Sequence, residues 1–319
     1  MDWSLVLGVG LFRSGVQLAM PTALAAVGES FSERAGVLNL GLEGMMLCAA
    51  LAAFVGEYYT GSAALGVLAG VAVGVMLAAL KAFLSVYLKT EQVINGIAIV
   101  IFAQGITAFA YERLFRSLQV SPQVPPLHTI HVPILASIPG IGPVLFDQNV
   151  LIYVSLLTVA GVWLLLYRTK FGLSVRAVGE SPIAAESVGG HVDLVRWLAL
   201  LVCGAMAGLG GAVLIVGDIN LFGPNVTAGR GWVAIALVIF GRWNPLIVFG
   251  GALLFGMTDA LQLRIQAVSG GTLAAVPYEF FQALPYLLTL TVMVAATVAS
   301  KRSAQPFALG VPFRREVTD

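Results

Sequence analysis

Apolar residues in this chain gather into long, nearly uninterrupted runs, separated by short segments in which charge, glycine and proline are concentrated. Crossing roughly 30 Å of hydrocarbon takes about 20 apolar residues, and the runs predict about nine crossings. They are Leu5–Val27, Met45–Tyr59, Ser62–Leu88, Val93–Tyr111, Val150–Tyr167, Leu194–Val216, Trp232–Phe240, Pro245–Leu263 and Gln282–Ala299. The second and seventh are short, so they either borrow residues from Gly-rich neighbours or are broken helices. The expected fold is therefore an all-α polytopic membrane protein of about nine transmembrane helices, eight to ten at the limits, some broken or re-entrant. Ala23-Leu24-Ala25 resembles a signal-peptide cleavage site, but Asp2 and Arg13 are wrong for a signal peptide, and the first run is read as a retained span.

The polar interruptions carry the information about function. Arg168 to Asp193 reads RTKFGLSVRAVGESPIAAESVGGHVD. Ser181 suits a helix N-cap, Pro182 the first helical position, and Gly189-Gly190 a stop, which predicts a helix over Pro182–Val188. At 1.5 Å per residue it would be about 10 Å long, too short to span a bilayer and too well punctuated to be slack. Its small, apolar face (Ile183, Ala184, Val188) suits a shallow pocket on a partner protein.

Ser32 to Gly44 mixes charge, glycine and apolar residues too closely for an ordinary loop or span. Irregular backbone at membrane depth needs protein or a water-filled cavity around it, so a broken or re-entrant segment is expected. Asn39 and Glu43 would then share one helical face at i, i+4. Two readings of the pair stand: they line a solute pathway, or they satisfy backbone groups freed at a helix break. Asn220 to Trp232 has the same character. Glycine-interrupted segments in matching positions of two halves are what inverted repeats produce, and these two segments fit that pattern.

Charge sets the orientation. With the polar island in the cytoplasm, eleven cationic residues (Arg34, Lys89, Arg168, Lys170, Arg176, Arg196, Arg242, Lys301, Arg302, Arg314 and Arg315) share its side. Only four, Arg113, Arg116, Arg230 and Arg264, face the other. The positive-inside rule then places the N-terminus outside and the C-terminus in the cytoplasm. The resulting division is a transmembrane domain over 1–300, with a cytoplasmic loop at 169–193, a Pro/Gly-rich external loop at 112–149 and a cytoplasmic tail at 301–319.

Composition agrees with this class and narrows the chemistry. Hydrophobic residues make up 59% and charged residues 10%, with a mean hydropathy of +0.94. A net charge of +1 gives nucleic acid no purchase. Cys48 and Cys203 lie in apolar runs and read as packing residues. His128 and His131 lack companion ligands, and neither metal nor cofactor is expected. Lys81, Lys89, Lys170 and Lys301 are never preceded by the glycine of a phosphate-binding loop, and neither HExxH nor GxSxG occurs. The chain is not expected to be an enzyme. Gly66, Gly70 and Gly74 line one helix face, as do Gly204 and Gly208, and these predict close packing within one bundle.

The run Phe171-Gly172-Leu173, Arg176-Ala177, Gly179-Glu180, Pro182, Ala184-Ala185 and Gly189 resembles the cytoplasmic loop of ABC-importer permeases. The branch is the one that serves ribose-type sugars, branched-chain amino acids and nucleosides. Leu198-Ala199, Gly204, Ala207-Gly208-Leu209 and Gly211-Ala212 continue the likeness. Ser32 to Met46 looks like the shorter of the two permeases in nucleoside or simple-sugar uptake systems. His191 departs from the pattern, where an aliphatic residue after a single glycine is usual.

The resemblance implies a non-catalytic subunit in a bacterial cytoplasmic membrane. It implies two ABC ATPase subunits, a second permease (a heterodimer), an external solute-binding lipoprotein and surrounding lipid as its partners. ATPase contact would fall to Arg176, Gly179, Glu180, Ser181, Pro182, Ala184, Ala185 and Gly189. The polar groups within or beside spans that can meet a neutral solute are Asn39, Glu43, Asn95 and Gln104. A nucleoside is the expected cargo and a simple sugar the alternative. A stand-alone channel or secondary carrier would leave the Gly179–Gly189 motif without a role.

Overall fold

A computed structural model describes residues 8–117, 120–131, 142–268 and 304–313, with six further positions between 283 and 294. Among them the architecture is helical, with one two-stranded hairpin. The helices follow the apolar runs. They are α1 (Val9–Arg34), α2 (Leu42–Thr60), α3 (Ala63–Ala82, prolonged by a π turn, Phe83–Tyr87) and α4 (Gln92–Phe115). After the hairpin come α6 (Val150–Arg168), α9 (Val192–Leu214, prolonged by a π turn, Ile215–Ile219), α10 (Arg230–Phe240) and α11 (Pro245–Val268). The hairpin joins β1 (Thr129–His131) antiparallel to β2 (Asp147–Asn149), with a single helical turn, α5 (Gly142–Leu145), before β2. Two polar helices fill the island: α7 (Lys170–Glu180) and α8 (Pro182–Ser187).

Among the described residues, five helices have the length and apolarity to cross a membrane: α3, α4, α6, α9 and α11. The first and second predicted spans are α1 and α2, which lie largely buried among the others. The short second run does borrow upstream residues, since α2 begins at Leu42. The seventh is broken: α10 has 11 residues, about 16 Å against the roughly 30 Å of a crossing. Most of the ninth run, 282–299, lies outside the described residues, as do the tail cations Lys301, Arg302, Arg314 and Arg315.

Glycine sets the spacing at the centre of the bundle. A methyl group added at Gly74 of α3 would fall 2.3 Å from the carbonyl oxygen of Gly204 in α9, and one at Gly208 would fall 2.7 Å from that of Gly70. The small faces read from the sequence therefore pack against each other within one chain, as expected. Gly256 of α11 meets α1 in the same way, its added methyl 2.5 Å from the carbonyl oxygen of Gly15.

The two ends of the bundle differ. At one, Arg13 pairs with Asp147 at 2.9 Å, and Asn149 Nδ2 donates to the Gly217 carbonyl at 2.8 Å. An aromatic cluster (Phe54, Tyr58, Tyr111, Phe115, Phe222) lies near that end. The other end carries α7, α8, the end of α1 and the segment 304–313, joined by backbone hydrogen bonds.

Candidate functional site

The island folds as its punctuation predicts. Thr169 caps α7 through its hydroxyl, which accepts from the Gly172 amide at 3.0 Å. Ser181 caps α8, accepting from the Ala184 amide at 3.3 Å, with Pro182 in the first turn. Val188 ends the helix one residue earlier than expected, and Gly189 follows at φ +85°, where a side chain would be strained. Ala185 turns inward onto Val178, Val192 and Phe313. Ile183 and Val188 point out, 68% and 85% exposed, beside the exposed Ala184. A rigid helix with an apolar outer face thus stands braced on the bundle.

The brace is tight. A methyl group at Gly179 would fall 2.0 Å from the carbonyl oxygen of Arg34, so α7 touches the end of α1 backbone to backbone. Arg176 lies over the Tyr167 ring at 5.2 Å and donates from Nε to the Gly172 carbonyl at 3.4 Å.

Above this contact the chain breaks. α1 ends at Arg34, Gly36 turns at φ +85°, and residues 35–41 run back into the bundle before α2 starts. Glu29 of α1 holds the returning strand: its Oε1 accepts from the Asn39 amide at 2.8 Å and its Oε2 from Cys203 Sγ at 3.2 Å. Asn39 Oδ1 accepts from the Gly41 amide at 3.1 Å, and Asn39 Nδ2 donates to Met45 Sδ at 3.4 Å. Four residues after Asn39, Glu43 reaches the other broken helix. Its Oε1 accepts from Thr227 Oγ1 at 2.6 Å and the Gly229 amide at 3.1 Å, and its Oε2 from the Gly231 amide at 2.6 Å. The first amides of α10 have no partners within their own helix, and a carboxylate there also meets the positive end of the helix dipole. The two interrupted helices thus start against each other, joined by one buried acid.

Comparison with known proteins assigns the architecture. The family described as branched-chain amino acid transport system / permease component matches residues 11–300. The chain belongs to this family. It is 40% identical to a putative glucose ABC transporter permease protein of Haloferax volcanii, over 97% of this chain and 98% of the relative. A guanosine ABC transporter permease protein of Bacillus subtilis is 32% identical over 92% and 93% of the two chains. A nucleoside ABC transporter permease protein of Lactococcus lactis is 31% identical over 86% and 87%. The ABC-permease resemblance drawn from the loop motif is thereby established, and the protein is a multi-pass membrane permease, a transport component.

Within this permease the eight loop residues expected to contact an ATPase fall on α7, α8 and the turn after it. Glu180, Ser181 and Ala184 are exposed, Gly179 and Ala185 are buried in the brace, and Gly189 is exposed at the turn. The four polar residues offered for a pathway are not brought together. Asn39 and Glu43 are buried and held in backbone hydrogen bonds. They do not share a helical face at i, i+4, because Asn39 lies in the break and only Glu43 is helical. Asn95, in the first turn of α4, accepts from Lys81 Nζ of α3 and donates to Ser85 and Thr90, each at 3.0 Å. Gln104 stands apart on the exposed face of α4.

Several polar residues of the permease escape a sequence reading. Glu29 and Glu33 are buried near the end of α1, Glu33 accepting from Trp243 Nε1 at 2.5 Å. Asp259 pairs with Arg230 at 3.1 Å. Glu57 is likewise buried, 2% exposed. The one available signal for Glu29 and Glu33 was their spacing of four on a run that continues past Val27.

Proposed function

We propose that this permease is the membrane subunit of an ATP-driven importer that moves a neutral, hydroxyl-rich solute, most specifically a nucleoside. The observation that carries the mechanism is α8: a capped, braced helix whose outer face is apolar, in a chain with no phosphate-binding lysine motif. Work against a gradient then enters through a partner that grips this face. The partners are two ABC ATPase subunits, an external solute-binding lipoprotein and a second, different permease. Arg176, Gly179, Glu180, Ser181, Pro182, Ala184, Ala185 and Gly189 form the grip, Arg176 and Gly179 by holding α7 in place, Glu180 at its exposed end and the rest at α8, its cap and its turn. The island and the tail 301–319 face the cytoplasm, and the loop 112–149 and the N-terminus face outward.

In this proposal the solute passes beside the broken helices, where Asn39 and Glu43 change partners as the structure opens, with Asn95 and Gln104 as further polar contacts. Two of the relatives named above carry guanosine or nucleoside in their names, which supports the cargo. A second reading, a simple sugar, is supported by the putative glucose permease at 40% identity. Uptake by cells expressing the complete transporter separates them. Radiolabelled guanosine uptake should be competed by unlabelled nucleosides and not by glucose; glucose uptake resistant to nucleosides establishes the sugar instead.

A further inference from the structure

Beyond the matched family region, which ends at residue 300, the segment 304–313 is tied to two separate parts of the bundle. The Ala308 amide donates to the Gly179 carbonyl at 2.9 Å, and the Gly310 amide to the Gly36 carbonyl at 3.1 Å. Arg196, 2% exposed, bridges the same pieces: its Nε donates to the Ala35 carbonyl at 3.2 Å and its Nη1 to the Val311 carbonyl at 3.0 Å. A guanidinium is well placed there, since Ala35 is the C-cap of α1 and the helix presents unsatisfied carbonyls and a negative dipole end. Phe313 then closes the joint from below, packed with Val178, Ala185 and Val192 beneath the short helix.

These contacts have a mechanical consequence. The segment grips α7 at Gly179 and the α1–α2 break at Gly36, and its terminal ring supports α8 at Ala185. A push on α8 is therefore delivered to Gly36, and three residues later the chain reaches Asn39 and its bond to Glu29.

We propose that residues 304–313 are a transmission tie of the transporter, with Arg196 and Phe313 as its positioning residues, linking α8 to the break that leads into α2. This rests on the reading of α8 as the ATPase grip, and it predicts a different failure from loss of that grip. Removing the tie should leave the ATPase bound and working while its strokes no longer reach the broken helices.

The test uses the complete transporter, purified with its partner subunits and reconstituted into liposomes, with ATP hydrolysis and solute uptake measured together. In a chain ending at residue 303, and in Phe313→Asp, uptake per ATP hydrolysed should fall about tenfold while hydrolysis stays within about twofold. Phe313→Leu, which keeps the apolar contact, should restore the ratio, a rescue that distinguishes positioning from mere bulk stability. Ala308→Pro deletes one amide of the tie and gives an independent reading should the larger changes fail to assemble. An unchanged uptake-to-hydrolysis ratio in both Phe313→Asp and Ala308→Pro overturns the tie. So does joint loss of ATPase co-purification and hydrolysis, which would make the segment part of the grip itself. Wild-type uptake in Ala184→Trp would instead remove the underlying reading of α8.

Discussion

The Gly231 amide donates to the Glu43 carboxylate at 2.6 Å, and through this contact the start of α10 rests on the start of α2. The two residues lie 188 positions apart, on opposite sides of the sequence midpoint. The same carboxylate takes the Gly229 amide and the Thr227 hydroxyl, so one side chain closes the loop preceding α10. A buried acid in this position is costly unless every oxygen is hydrogen-bonded, and here both are.

Glu43→Ala should destabilise the permease and abolish uptake, because it strands buried donors whose bonds to a charged acceptor are worth about 1.5–3 kcal/mol each. Glu43→Gln keeps one acceptor oxygen and should fall between. The check is melting temperature in detergent beside uptake in cells; equal stability for Gln, Ala and wild type contradicts the capping role.

At the centre of the bundle, Gly74→Ala should sharply reduce the yield of folded protein. The added methyl group meets the Gly204 carbonyl at 2.3 Å and the Gly208 Cα at 2.7 Å, and both are backbone atoms that cannot step aside. Gly161→Ala, on a helix face with nothing within 4 Å, should leave the yield unchanged. Size-exclusion profiles of the two variants make the comparison, and similar profiles contradict the packing argument.

Much of this was legible in the chain, and the exceptions come from distant partners or from turns at single glycines. Ser181, Pro182 and Gly189 act on neighbours within a few residues, so the ends of α8 could be read directly. The glycine faces of α3 and α9 were equally plain, since small side chains at every fourth position have little other purpose in an apolar helix. Glu29 and Glu33 looked like the end of a span because their partners are distant. Cys203 and Trp243 stand 174 and 210 positions away. With those partners in place α1 continues to Arg34. The expected shared face of Asn39 and Glu43 failed at Gly36 and Gly41, where the backbone turns instead of continuing as helix. Asp259 pairs with Arg230, 29 positions away, and nothing in the residues around it announces that partner.

Orientation is tested by labelling from the two sides of the membrane. Cysteine placed at Ser181 should react with a membrane-impermeant reagent only from the cytoplasm, and cysteine at Ser121 only from outside. The background is Cys48→Ala with Cys203→Ser, the serine keeping a donor for Glu29. Labelling of both positions from one side contradicts the arrangement of about nine spans.

A tagged copy purified under mild conditions should bring down a second, dissimilar permease in equal amount. The exposed face of α4 supports pairing with another permease helix, for Gln104 sits there with Ile97 and Ile101 at helical spacing. A polar amide facing lipid alone is unfavourable, whereas against another helix it finds a hydrogen-bond partner. A functional transporter holding two copies of this chain and no other permease would overturn the heterodimer while leaving the importer in place.

The proposed ATPase grip lies on the outer face of α8, and Ala184→Trp probes it with one side chain. Ala184 is exposed, so the tryptophan does not disturb the permease itself, yet it prevents a partner from seating on the helix. Uptake of labelled solute is measured in cells, together with membrane insertion and co-purification of the ATPase. The account predicts normal insertion with uptake abolished and the ATPase lost from the purified complex. Wild-type uptake with the ATPase still bound would contradict it.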